Sequence, residues 1–313
     1  MQYAPLCTAG LLSSRVIFGT DFLRRSVIAS DSRCFQLLDG AFDGGINTFE
    51  SARSYGSEAV LGRWLRRRGR RSDIVLVTKG GSGECSSARQ LRAECHRSLT
   101  ALRSDYIDCY LVHYDSRSWD LAEMAGELGR LLFEGKILSF GLSNFSLDRF
   151  RAVQNHCRDK SIAKPRVVSA HFGMIPWTQP YWPNAQSLAG GNKQLEREWY
   201  RANGYRVLGY SPLGRGYFRN KEMGAGGDDR FHDCRENDLR LARAHELARR
   251  MGASVAQIAL AFVLCTGPEV FAIVGCRSCE HIRMCSEAAA IALSREEYSW
   301  LELQGEERLD ARR

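Results

Sequence analysis

No stretch of this 313-residue chain approaches the roughly 20 consecutive apolar residues that a membrane-crossing helix needs. The opening Met1-Gln-Tyr-Ala-Pro-Leu6 lacks the basic start, apolar stretch and cleavage site of a secretory leader. A soluble, cytoplasmic protein with no membrane partner is therefore expected. Lysine is scarce: it occurs six times (Lys79, Lys136, Lys160, Lys164, Lys193 and Lys221), which leaves 38 of the 44 basic residues as arginine. A net charge of +8 raises the question of nucleic acid. However, no zinc-finger or ribonucleoprotein motif accompanies the charge, and arginine excess is also what GC-rich coding produces. The densest cluster, Arg66-Arg67-Arg68-Gly69-Arg70-Arg71, ends a helical pattern and precedes a strand, so it is read as a solvated turn. No nucleic-acid partner is expected.

Other familiar signatures are missing as well. There is no internal repeat, no G-x-G-x-x-G after the first strand, no P-loop and no G-x-S-x-G elbow. The missing glycine fingerprint argues against a doubly wound dinucleotide-binding sheet. The eleven cysteines are an odd number spread along the chain, unlike a secreted disulfide scaffold. Their densest group is Cys276-Arg-Ser-Cys279 with His281 and Cys285. With no second paired cluster to complete a tetrahedral zinc site, no metal is expected. A redox pair there is the alternative to plain loop and helix thiols, which are the preferred reading.

What the sequence does contain is alternation. Eight β-rich runs fall at residues 15–19, 46–49, 73–79, 106–113, 137–143, 166–172, 205–210 and 270–274. Amphipathic stretches follow them, and extra helices are expected late in the chain, at 238–251, 254–264, after Ser278 and at 295–304. Ser86 or Ser87 is placed to cap the helix over 88–102. Strand–helix alternation implies a parallel sheet covered by helices, and eight units in about 300 residues fit one closed (β/α)8 TIM barrel spanning 1–313.

In such barrels the chemistry sits at the C-terminal ends of the strands. The second run ends at Glu50 and is followed by Tyr55; the third ends at Lys79 and the fourth at His113. A phenol is a weak acid at neutral pH. A nearby ammonium favours its anion, a carboxylate keeps that ammonium charged, and an imidazole can hydrogen-bond a substrate oxygen. Together these groups can protonate a carbonyl oxygen while a nicotinamide supplies a hydride to carbon.

The same residues lie in motifs that resemble those of the aldo-keto reductases. Phe49-Glu-Ser-Ala-Arg-Ser-Tyr-Gly-Ser-Glu58 followed by Leu61-Gly62 is similar to that family's F-D-T-A-x-x-Y-G-x-E…L-G. Val77-Thr-Lys79, Tyr106-Ile-Asp-Cys-Tyr-Leu-Val-His113, Gly141-Leu-Ser-Asn-Phe145, Gly209-Tyr-Ser-Pro-Leu-Gly214 and Ile273-Val-Gly-Cys-Arg-Ser278 resemble its later motifs in the same order. The resemblance implies an NAD(P)H-dependent reductase of an aldehyde or ketone, with Tyr55 as proton donor assisted by Lys79, His113 and Glu50. It also implies that Ser143, Asn144 and Ser169 meet the nicotinamide carboxamide, that Tyr210 stacks on the ring, and that Ser211, Leu213 and Arg215 follow the pyrophosphate. Thr20 is included with the cofactor contacts, and Gly275, Arg277 and His281 would hold the adenosine end. An arginine fork there suits a 2′-phosphate and so favours NADPH, with NADH as the alternative.

Four positions depart from the family pattern. Glu50 stands where it has aspartate, Ser169 where it has glutamine, and His281 and Cys285 where it has glutamine and asparagine. Substrate contacts are expected from Phe22, Tyr114, Phe145 and the Trp177–Trp182 segment, unless the last is rim packing. The tail after Gln304 is short and charged, so no long substrate-shaping C-terminal loop is expected. The alternative functions are a cofactor-binding regulatory or scaffolding barrel with little turnover, and reduction of an imine or activated alkene.

Overall fold

A computed structural model describes residues 1–6, 11–25, 30–83, 87–117, 119–218 and 229–304. Two short strands open the chain, β1 (Tyr3–Ala4) and β2 (Ser13–Ser14), paired antiparallel. Eight parallel strands then close into a barrel: β3 (Val16–Gly19), β4 (Thr48–Glu50), β5 (Val75–Gly80), β6 (Cys109–Val112), β7 (Phe140–Ser143), β8 (Val167–His171), β9 (Arg206–Tyr210) and β10 (Val270–Val274). Each pairs with its neighbour in chain order, and β10 returns to pair with β3. The expected (β/α)8 architecture is what the chain forms.

Two apolar layers hold it. Inside the barrel, Ile17, Val75, Val77, Cys109, Leu111, Val167, Leu208, Phe271 and Ile273 form one buried cluster, closed at the N-terminal end by Ala4 and Leu6. The outward-facing strand residues pack under the helices; the Phe49 ring, for example, lies 4.8 Å from Trp64. Among the helices around the barrel are α1 (Phe22–Arg25), α2 (Asp31–Asp43), α3 (Glu58–Arg68), α4 (Ala88–Leu102), α5 (Leu121–Phe133), α6 (Leu147–Asp159) and α7 (Gln194–Ala202). The late group follows as α8 (Arg235–Met251), α9 (Val255–Cys265), α10 (Cys279–Ala288) and α11 (Arg295–Leu301). Their starts carry ordinary N-caps: Ser87 accepts from Gln90 N, Ser146 from Arg149 N and Ser278 from His281 N, while Ser254 and Ser294 form capping boxes. The other proposed cap, Ser86, lies outside the described residues.

Seven of the eight barrel strands begin later than their β-rich runs, and β10 begins with its run. In the run 106–113 the strand begins only at Cys109. Just before it, the Asp108 carboxylate accepts from Leu76 N and from the Arg71 guanidinium, so a side chain takes one ladder bond there while Asp108 N still donates to the Leu76 carbonyl.

The N-terminal hairpin has no counterpart in the sequence pattern. It is only two residues per strand and depends on distant partners: Ser14 N donates to Asn47 Oδ1, Ser13 Oγ meets Thr48 Oγ1 and Tyr3 Oη donates to the Gly45 carbonyl. Next to it the Arg15 side chain is buried and donates to the carbonyls of Leu264, Gly267 and Val270.

The arginine cluster is more than a solvated turn. Arg67 and Arg68 pair with Asp39 on α2, Arg68 also reaches Asp43, and its guanidinium lies 4.0 Å above the Phe42 ring. Arg71 pairs with Asp108 at 2.6 Å and stacks on Tyr106. Only after Gly69, in the left-handed conformation that ends α3, does the chain turn toward the next strand.

Candidate active site

The C-terminal ends of β4, β5 and β6 bring Glu50, Lys79 and His113 together, and the 3-10 turn Arg53–Tyr55 after β4 delivers Tyr55 to the same place. Lys79 is the hub. Its Nζ is 2.9 Å from Tyr55 Oη, donates to the Ser51 carbonyl at 3.2 Å and is in contact with a Glu50 carboxylate oxygen. Both members of the ion pair are buried. Burial draws the Lys79 ammonium down to about 7 against the opposing field of Asp21, and the touching Glu50 carboxylate also favours the charged form.

His113 closes the other side. Its ring meets Tyr55 edge-on at 5.7 Å and stacks on Tyr114 at 4.4 Å. Burial, then the Lys79 charge, holds the imidazole well below its ordinary pKa of 6.5. It is therefore neutral at physiological pH and acts as a hydrogen-bonding group rather than a cation. Its Nδ1 is buried with no hydrogen-bond partner among the described residues.

Beside this group β7, β8 and β9 end in a polar cradle. Asn144 sits in the left-handed region (φ 59°) just past the end of β7, its backbone N–H still donating to the Ser169 carbonyl. Its Nδ2 donates to the His113 carbonyl and to Ser143 Oγ, and its Oδ1 accepts from Tyr210 Oη at 2.7 Å and from Gln186 N. Ser169 lies on β8 opposite Ser143, with its Oγ buried and unbonded among the described residues. Thr20 Oγ1 bonds Ser57 Oγ at 2.8 Å, behind the hub. Ser211 (φ 53°) accepts the Gly214 N–H in a tight turn, and Leu213 and Arg215 follow it. The Arg215 guanidinium lies 5.1 Å from the Tyr181 ring centre. Gly275, exposed Arg277 and half-buried His281 stand at the end of β10 and the start of α10. The candidate residues thus form one rim along consecutive strand ends.

The proposed substrate segment is also on that rim. Trp182 stacks on Tyr210 at 5.8 Å, and Trp177 stacks on buried His171 at 3.9 Å. Phe22 packs on Phe18, and a β-carbon at Gly275 would lie in ordinary contact with the Phe22 ring. The tail beyond residue 304 and the loop at 219–228 lie outside the described residues.

Asp21, the Ser51 carbonyl and His171, on which the expected Trp177 stacks, were not among the residues picked from the sequence. Asp21 follows Thr20 at the end of β3 and acts electrostatically on Lys79. The strand-end rule that selected Glu50, Lys79 and His113 extends to it. The Ser51 carbonyl and the His171–Trp177 stack carry no such mark, since one is backbone and the other depends on how a loop folds back.

The Aldo/keto reductase family matches residues 15–303. Norsolorinic acid reductase stcV of Emericella nidulans is 27% identical over 95% of this chain and 77% of its own length. Aldo-keto reductase str7 of Strobilurus tenacellus is 27% identical over 90% and 83%, and the uncharacterized oxidoreductase YrpG of Bacillus subtilis is 26% identical over 95% and 93%.

Proposed function

Since the chain belongs to the aldo/keto reductase family, we propose that it is an NADPH-dependent carbonyl reductase in which Tyr55 hands a proton to the carbonyl oxygen. The observation that carries this reading is the 2.9 Å contact between Tyr55 Oη and a lysine whose other side is held by a carboxylate. As the phenol gives up its proton, the Lys79 ammonium offsets the charge left on the oxygen. Neutral His113, edge-on to Tyr55, is placed to hold the carbonyl oxygen by a hydrogen bond without competing as the acid.

The cradle suits a nicotinamide. A buried Ser169 hydroxyl with no hydrogen-bond partner among the described residues offers a polar group to a carboxamide beside Asn144, and the Tyr210 ring offers a flat face. When bound, the reduced nicotinamide supplies the hydride. Ser143, Asn144, Ser169 and Tyr210 orient it, and Arg277, with the adjacent His281 and Gly275, receives the adenosine phosphate. Several of the relatives are named as norsolorinic acid reductases, and the aromatic rim of Trp182, Tyr181 and Tyr114 suits a flat substrate.

The test is NADPH oxidation with a panel of aromatic and aliphatic aldehydes, repeated with NADH. Turnover by the native chain should prefer NADPH. In Tyr55→Phe it should fall by roughly 100-fold or more, while NADPH binding is retained. Persisting turnover in that variant removes Tyr55 as the acid, and binding of cofactor with no turnover of any carbonyl removes the reductase reading.

A further inference from the structure

The cysteine cluster late in the chain does not pair as its spacing suggests. Cys279, three residues after Cys276, is exposed and turns its Sγ toward Gly40 of α2. Cys276 instead meets Cys285, two turns into α10, with Sγ atoms 3.7 Å apart. Both are buried at 1% exposure, so this is a sealed thiol–thiol contact. Arg277, His281 and the Ser278 cap lie on the segment between the two sulfurs.

We propose that Cys276 and Cys285 are an oxidisable dithiol that peroxide closes to an intrachain disulfide, displacing the segment that carries Arg277 and His281. A disulfide needs about 2 Å between sulfurs and fixes their dihedral angle, so the two sulfurs must approach by more than 1 Å and the packed segment between them must readjust. Two thiols and one hydrogen peroxide give one disulfide and two waters. The first sulfur attacks a peroxide oxygen, the O–O bond breaks, and a sulfenic acid and a water result. The second sulfur then attacks that sulfenic sulfur, the S–O bond breaks, and the departing hydroxide takes the thiol proton as the second water. Peroxide is small and neutral, which suits a buried pair. The hydrogen bond to Cys285, then burial, holds the Cys276 thiol well above its ordinary value, so the closure should quicken as pH rises.

A consequence for cofactor affinity rests on the adenosine assignment made above. The experiment therefore reads the bond and the binding separately. The full chain, fully reduced, is treated with hydrogen peroxide at neutral pH and at about pH 9, then mapped by non-reducing peptide mass spectrometry and titrated with NADPH. The expected result is a peptide linked through Cys276 and Cys285, formed faster at high pH, retained in Cys279→Ser and lost in Cys285→Ser. NADPH affinity should drop several-fold on oxidation and return with dithiothreitol. A link between Cys276 and Cys279, or no Cys276–Cys285 link in folded protein, overturns the proposal. A linked protein with unchanged NADPH affinity overturns the displacement. If the reduced chain binds no NADPH, the cofactor reading fails, and the cross-link alone decides the dithiol.

Discussion

Glutamate at position 50 carries one more methylene than aspartate, and its carboxylate nevertheless meets Lys79. The longer arm is accommodated because Glu50 ends a three-residue strand in register with Gly19 and Val77, beside the open backbone of a glycine. Its role follows from charge. Burial disfavours the Lys79 ammonium, bringing it to about 7, and an adjacent anion opposes that shift. Replacing Glu50 by glutamine removes the anion, so the lysine loses its proton at lower pH and support for the tyrosinate is lost sooner. The alkaline limb of the kcat–pH profile should move toward lower pH in Glu50→Gln; an unmoved limb means Glu50 does not sustain the charge. Tyr55, Lys79, His113 and Glu50 are legible in sequence because strand ends converge in a barrel, whatever the helices outside do. The Trp182–Tyr210 stack is not, because it forms only when a long connection folds back over the rim.

Between elements, close approach replaces side-chain bulk at one contact. Gly62 on α3 faces the backbone of α4, and a β-carbon there would lie 2.8 Å from Leu102 Cα. The two helices cannot absorb this by rotating a side chain, since the obstacle is backbone. Gly62→Ala should therefore destabilise the fold by about 1–3 kcal/mol, read by denaturant unfolding. Gly126 on α5 is the contrast: a β-carbon there meets nothing within 4 Å. Gly126→Ala should be neutral or stabilise by up to about 1 kcal/mol, because alanine favours helix. Equal effects at the two sites would deny the backbone contact. At this scale the sequence was most readable, since periodicity and capping residues such as Ser87, Ser146 and Ser254 set the elements locally. What it could not announce was β1 with β2, whose two-residue strands are held by Asn47, Thr48 and Gly45 far along the chain.

Across the whole molecule, two neutral histidines make the fold sensitive to acid. His113 and His171 are both held well below 6.5, chiefly by burial, then by Lys79 and by His232 respectively. In the unfolded chain each takes up a proton near pH 6.5, while the folded chain does not. Unfolding therefore binds protons, and stability that is complete above about 6.5 declines as pH falls toward the lowered folded values. The slope should be on the order of 1 kcal/mol per pH unit for each histidine between about pH 6 and 5. Denaturant titrations across that range should show it, and His171→Asn should make the decline shallower. An unchanged slope would mean that His171 is protonated within the fold.

The plug beneath the barrel has a consequence for traffic. Ala4 and Leu6 seal the interior, and Arg15 ties that end to the loops before β10. Among the described residues, the barrel interior thus offers no way to Tyr55 from that end. A molecule bound beside Tyr55 would therefore come and go over the C-terminal rim of the strands and not through the barrel.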